Sequence, residues 1–407
     1  MLMECDKTPR KTYLTSTASL IAFLSCRAKH QSCRHFISTS LFWCALLAPF
    51  SVLAQELAMR EQIHIGVSLP LTGDVREYGL AVANGIELAR EKFPERFKKL
   101  RLSFEDNKYE ASPAVAVFRK FQFSKVDLLY SWGEPPFNAI AQIAEHERIP
   151  LVAMSLDPKP ACGKKYVVRS ANSPKEMIAP VLAYLRSRGL KRIGIIKADD
   201  PFDNSYVAAL QDSAADDEEV SILSTVLPEE TDFRGHAIRA RRAQIDVLGL
   251  FLYPSQVSTL YRNMVTIGFT PRSFGTDVFE SDRVITASGP AMEGAVYANM
   301  VMPEWFAKEY VAKVGNDDQI AYAFNGYAWA AITAEVLTKV PHRPNADEII
   351  KLLTSVTGRE GGVEFQYRDT PESGRYWQFP VHLKVVENGG FRPLQAGTPP
   401  LLDTLRK

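Results

Sequence analysis

Cysteine is scarce where a folded body would use it. Of the five cysteines, Cys5, Cys26, Cys33 and Cys44 precede residue 55 and Cys162 stands alone beyond it, so a disulfide framework is excluded from the main body. His64, His146, His236, His342 and His382 are scattered singly, and no Cys or His pair has the spacing of a metal site. Net charge is equally thin, 48 Lys and Arg against 47 Asp and Glu. No global field draws the chain to nucleic acid or to an anionic membrane. No G-x-G-x-x-G follows the first strand, and neither G-x-x-x-x-G-K-[ST] nor G-x-S-x-G occurs. The backbone cradles of nucleotide sites and the nucleophile elbow of serine hydrolases are thus missing. No cofactor is expected and no catalytic residue can be nominated. Solenoid repeats, low-complexity tracts and a Gly/Ser linker are also absent, which points to domains joined by short, ordered crossovers.

What is present begins with an apolar run. Leu41 to Ala54 carries no charge, follows Arg34 and His35, and ends in Val52-Leu53-Ala54. It reads as the h-region of a secretory leader, cleaved near Ala54 and Gln55, and places the mature protein in the periplasm. A spanning helix needs roughly 18 or more apolar residues, which this run, with Pro49 inside it, does not reach. A retained anchor is the alternative. Phe42 and Trp43 stand where a lipidated cysteine would need small residues, which argues against lipid on Cys44. The stretch ahead of Arg34 is long for an n-region and suggests a start codon assigned too far upstream.

With 407 residues, two lobes are the natural expectation. Ile63, Ile65, Val67 and Leu69 alternate with His64, Gly66 and Ser68 as a strand does. Pro70 to Gly73 make a turn, and Leu80, Ala83, Ile86 and Leu88 recur at helical spacing. Leu100 to Phe104, Val126 to Tyr130 and Leu151 to Ala153 read as further strands with helices between, one of them capped by Ser112 with Pro113 at the first helical position. A second series follows Val167 to Ser170. Ser173-Pro174-Lys175-Glu176 is a capping box, its helix is marked for a kink at Pro180, and strands at Ile193, Val220, Val247 and Ser273 alternate with helices. Such alternation implies parallel sheets covered on both faces. Helical segments return from Glu304 to Val356, and the tail ends in strands around Val363 and from Phe379 to Val386. The basic run Arg239-Ala240-Arg241-Arg242 sits on a helix with Ile238 and Ile245 turned inward, and reads as a solvated face rather than a nucleic-acid contact.

The run from Ile65 to Gly73, with Tyr78-Gly79 and Asn84-Gly85 after it, resembles the leucine/isoleucine/valine-binding proteins of bacterial ABC importers. Ile149 to Val152, Arg192 to Ile196, Thr231-Asp232-Phe233, Gly268-Phe269 and Phe274-Gly275 fall in that family's order. The resemblance covers roughly Ile63 to Asn388. It implies a type I periplasmic binding protein: an α/β chain of two doubly wound parallel-sheet lobes joined by three crossovers, near Arg169 and Ser170, from Asn299 to Met302, and at Gly361 and Gly362. Residues 62–169 and 303–361 then form lobe one, 170–302 and 362–395 lobe two, with 1–54 a leader and 396–407 a tail. The implied role is to bind a small molecule by hinge closure and hand it to an inner-membrane ABC permease, as a monomer and without catalysis.

Ligands of open α/β sheets bind beyond the carboxyl ends of the strands. The resemblance aligns Tyr78, Trp132, Glu134, Leu156 and Asp157 to the cleft of lobe one, and Phe202, Tyr253 and Asp277 to that of lobe two. Aromatics on both lobes could sandwich a ligand. The family's amino-acid binders use hydroxyl residues after the third and fourth strands to hold the ligand carboxylate. Here Glu134 and Asp157 replace them, and ionised acids repel a carboxylate. The expected ligand is therefore cationic or rich in donors, such as an amine, an amide or a urea-like molecule, rather than a leucine-like amino acid. A sensor passing its signal to a partner protein, and a hydrolase acting through Glu134 and Asp157, are the rival readings.

Overall fold

The computed structural model describes residues 62–394 apart from Asp74 and Thr357; the proposed leader and the C-terminal tail lie outside the described residues. Two sheets organise the body. The first is built on β1 (Ile63–Leu69), which pairs in parallel with β2 (Leu100–Asp106) on one side and β3 (Leu128–Trp132) on the other. Beyond β3 come β4 (Leu151–Met154) and β5 (Val167–Arg169), also parallel. Helices α1 (Arg76–Lys92), α2 (Ala111–Phe123) and α3 (Glu134–Glu147) make the crossovers. All seven residues of β1 are buried, because helices cover both faces of a central parallel strand. Gly66 belongs to this packing: a Cβ there would lie 2.8 Å from the Phe121 ring of α2. Helix α2 begins at Ala111 with Glu110 at its N-cap, so Ser112, expected as the cap, lies inside the first turn.

Lobe two repeats the plan. After α4 (Pro174–Ser187), the second sheet is centred on β6 (Arg192–Ala198), flanked by β7 (Glu219–Val226) and β8 (Val247–Phe251), and continues through β9 (Ser273–Gly275) to β10 (Val296–Met300). Helices α5 (Pro201–Ser213), α6 (Arg234–Arg242), α7 (Pro254–Thr266) and α8 (Asp282–Ser288) intervene. The capping box forms as expected: Glu176 N–H donates to Ser173 Oγ at 3.4 Å and Ser173 N–H to Glu176 Oε2 at 2.7 Å. Helix α4 continues through Pro180.

From lobe two the chain returns with α9 (Glu304–Val314), α10 (Ile320–Leu337) and α11 (Ala346–Thr354). Helix α10 lies against α1 so closely that each supplies a glycine to the contact. A Cβ on Gly85 would meet Ala323 O at 1.8 Å, and one on Gly326 would meet Val82 O at 2.2 Å. Next come β11 (Gly358–Glu360), β12 (Val363–Thr370) and β13 (Gly374–Gln378), which extend the first sheet, with β13 parallel to β5. Finally β14 (Val381–Glu387) and β15 (Gly390–Pro393) close the second sheet.

The third crossover therefore needs correction. Gly361 and Gly362, expected to carry the chain between lobes, both have positive φ, +57° and +81°, and sit between paired Glu360 and Val363. That is the conformation of a two-residue hairpin turn, so the chain reverses within the first sheet. Residues 363–378 thus belong with lobe one, and the last passage is at Phe379 and Pro380. The passages are tied to one another. Asn172 and Phe379 exchange two hydrogen bonds, of 2.8 and 2.9 Å, and the fully buried Arg169 donates through Nη1 to the carbonyls of Ser155, Leu156, Ala171 and Asn172.

Candidate functional site

The carboxyl ends of the two sheets face one cavity of about 60 Å³, on a scale where a single water needs roughly 10–15 Å³. Most wall residues are placed by strand ends. Trp132 is the last residue of β3. Gly133 follows at φ +98°, a conformation open to glycine at little cost, and its missing side chain leaves room for the Tyr109 ring, which a Cβ would approach to 2.3 Å. Glu134 then opens α3 and its carboxylate turns inward. Met154 and Leu156 come from the end of β4, and Tyr78 from the first turn of α1. Lobe two contributes Asp200, Phe202 and Asp203 after β6, Tyr253 after β8 and Asp277 after β9.

Six aromatic side chains line this space. Tyr78 lies 4.6 Å from Tyr322 and 6.0 Å from Trp132, centroid to centroid. Trp132 in turn lies 5.6 Å from Tyr322 and 5.8 Å from Tyr109. Phe202 and Tyr253 face them from lobe two. Electron-rich ring faces of this kind attract cations.

Four carboxyl groups share the cavity, and no Lys, Arg or His lines it. Glu134 is 3% exposed; its Oε1 accepts from Leu156 N–H at 2.9 Å and its Oε2 from the Tyr109 hydroxyl at 3.5 Å. Burial, with repulsion from Asp200 and Asp157, pushes its pKa up to about 8. Asp200 caps α5 by accepting from Phe202 N–H at 2.8 Å, and its other oxygen accepts from the Tyr253 hydroxyl at 2.9 Å. Burial holds Asp200 above the usual carboxylate range. Asp203 is raised further, by burial and by repulsion from Asp200 and Glu134. Asp277 rises to about 6, through burial and the nearby Glu280, with a hydrogen bond from Tyr322 opposing. Glu280 itself is tied off, paired with the buried Lys384 at 2.6 Å.

Three buried polar atoms on the wall have no hydrogen-bond partner in the protein: Tyr78 Oη, Trp132 Nε1 and Asp277 Oδ1. Buried polar atoms left this way are rare and call for a partner. Beside Tyr78, Arg283 of lobe two bonds Glu77 of lobe one at 3.0 Å, bridging the lobes in an adjoining pocket. Among the described residues, no group of three or more His, Cys, Asp and Glu is arranged to hold a metal ion, and no helix is long and apolar enough to cross a membrane.

Tyr78, Trp132, Glu134, Leu156, Phe202, Tyr253 and Asp277, all expected at the cleft, line this one cavity. Asp157 does not. Its Oδ1 accepts from Lys159 N–H at 3.1 Å, just ahead of the short helical turn Lys159–Ala161. Sequence reasoning missed Tyr109, Met154, Asp200, Asp203 and Tyr322. Asp200-Pro201 was visible as a helix start after a strand; Tyr322 arrives from a helix far along the chain and carried no local signal.

The model of a family described as periplasmic binding protein matches residues 62–378. Comparison with the curated proteins gives no match. Among solved structures, a leucine-binding protein from Thermotoga maritima superposes with a TM-score of 0.72 at 20% identity, over 82% of this chain and 98% of its own. An ABC-transporter solute-binding protein from Rhodopseudomonas palustris, in complex with 3,4-dihydroxybenzoic acid, gives 0.70 at 18%, over 82% and 96%. A branched-chain amino acid transporter substrate-binding protein from Streptococcus pneumoniae, in complex with isoleucine, gives 0.69 at 16%, over 81% and 98%. At these identities the likeness concerns the fold.

Proposed function

Since the chain belongs to the periplasmic binding protein family, we propose that it is the extracytoplasmic solute-binding component of an ABC importer. It takes up a small polar molecule between its lobes and presents the closed form to an inner-membrane permease. The observation that carries this reading is the cavity walled by both lobes, whose lining polar atoms Tyr78 Oη and Asp277 Oδ1 find no partner in the protein. A solute that touches both walls stabilises the closed arrangement over the open one, and closure is the signal a partner can recognise. The similar structures, which include ABC-transporter substrate-binding proteins in complex with isoleucine or 3,4-dihydroxybenzoic acid, support the role but differ in ligand. The acids on the wall favour an amine, amide or urea-like solute over one that presents a carboxylate. Export through a leader ending near Ala54 places this work in the periplasm.

The test is native mass spectrometry of the protein as purified, with a thermal-shift screen of amino acids, amines, amides and aromatic acids. An intact solute that co-purifies or raises Tm, and that Asp277→Ala binds more weakly without losing its fold, is the expected result. Conversion of the solute to a product would overturn the transport role.

A further inference from the structure

Every acid on the cavity wall is at least nine-tenths buried, namely Glu134, Asp200, Asp203 and Asp277, and the acids meet the aromatic wall at two places. Glu134 reaches across the lobe boundary to the field of Asp200, and Asp203 lies in the fields of Asp200, Glu134 and Asp277 alike; Tyr109 stands beside Glu134. Asp277 is bonded to Tyr322, whose ring packs tilted against Tyr78. Between these two groups stands Trp132, 5.8 Å from the Tyr109 ring and 5.6 Å from the Tyr322 ring. The wall thus has an acidic end, an aromatic middle and a second acidic end. Independent of charge, Asp277 Oδ1 is buried against the cavity with no partner, as is the Tyr78 hydroxyl.

Resting on the solute-binding role above, we propose that the solute is a short aliphatic diamine bound as a dication, one ammonium at the Glu134, Asp200 and Asp203 end and the other at Asp277, with its methylenes against Trp132. An ammonium is all donor, which suits Asp277 Oδ1 and the acceptor lone pairs of Tyr78 Oη. The ring faces of Tyr109, Trp132 and Tyr322 add attraction for cations and cover the hydrocarbon between them. A zwitterionic amino acid would satisfy one acidic end and set its carboxylate against the other. A benzoate would set a further negative charge among the acids, and an amide, although it donates to them, would bring no positive charge. Only the Trp132 N–H, which donates and cannot accept, gains no partner from a diamine.

Binding also moves protons. Each arriving ammonium favours the ionised carboxylate facing it, so Glu134, whose pKa burial and repulsion push up to about 8, releases its proton to solvent as the diamine enters.

Isothermal titration of the full-length mature protein, cleared of bound solute by unfolding and refolding, tests this with putrescine and cadaverine against butylamine, acetamide, leucine and benzoate. The expected result is a diamine bound at least about tenfold more tightly than butylamine, with heats that depend on buffer ionisation because protons are released. Asp277→Asn should reduce the diamine to the affinity of butylamine. The wild-type comparison decides on its own, so a poorly folding variant does not rescue the idea. Tighter binding of leucine, benzoate or acetamide, or equal binding of butylamine and the diamines, overturns the dication while leaving the solute-binding role intact. Failure of every probe overturns the diamine, and if no solute co-purifies with the native protein either, the solute-binding role falls with it.

Discussion

Replacing Glu134 by Gln should make the ligand-free protein more resistant to alkaline pH while weakening its hold on a cation. The carboxyl is buried and its pKa is about 8, against an ordinary 4.5. In the unfolded chain it ionises near the ordinary value, so between about pH 4.5 and 8 the folded state holds a proton that the unfolded state has lost. Stability contributed by the protonated form is complete below the unfolded value, declines through that window and is gone above about pH 8. Each pKa unit corresponds to about 1.4 kcal/mol, so the whole decline is on the order of 5 kcal/mol. Gln keeps the shape and the acceptor for Leu156 N–H, and has no proton to lose. At roughly 2 °C per kcal/mol, the Tm difference between variant and wild type should shift in favour of the variant by up to about 10 °C between pH 4 and pH 9. Circular-dichroism melts of both proteins, freed of solute, measure it. Parallel Tm curves across that range would refute the reasoning, because they would mean that Glu134 titrates normally. A cationic solute should reverse the order above neutral pH, because only the wild type can offer it a carboxylate.

Asp157→Asn should leave solute affinity within about twofold of wild type by titration, since that side chain bonds the Lys159 amide and does not line the cavity; a loss comparable to that of Asp277→Asn would return Asp157 to the site. Gly85→Ala should destabilise the protein by at least about 1–3 kcal/mol in urea unfolding, because the new methyl group meets the Ala323 carbonyl at 1.8 Å, and an unchanged midpoint would show that the two helices can part freely.

Much of this fold was legible because its signals are local. The alternation in β1, the Ser173–Glu176 box and the order of strand and helix each depend on a few neighbouring residues, and all three appear in the structure. The correction at Gly361 and Gly362 is equally local in origin. Two adjacent glycines suit a crossing or a hairpin, and the choice falls to pairing between β11 and β12, which sequence does not display. The site divides the same way. Residues at or just past the end of a strand, such as Trp132, Glu134, Phe202 and Asp277, could be placed from the rule that ligands sit at strand ends. Asp157 satisfied that rule and is nevertheless turned aside, since a nearby amide at Lys159 offers its carboxylate a bond. Tyr322 could not be found this way: its position at the cavity depends on how α10 packs on α1.

That packing has a consequence for the order in which the protein can be made. The interlocking glycines Gly85 and Gly326 are about 240 residues apart, and β13, which borders β5, comes later still. At roughly 5–20 residues per second, some 10–50 s of synthesis separate the first helix from the one that covers it. Throughout that interval the first-made half of lobe one holds an uncovered apolar face and cannot reach its final form. The lobe nearest the start of the chain is among the last parts to be completed, so the nascent protein stays loosely folded until nearly all of it has been translated.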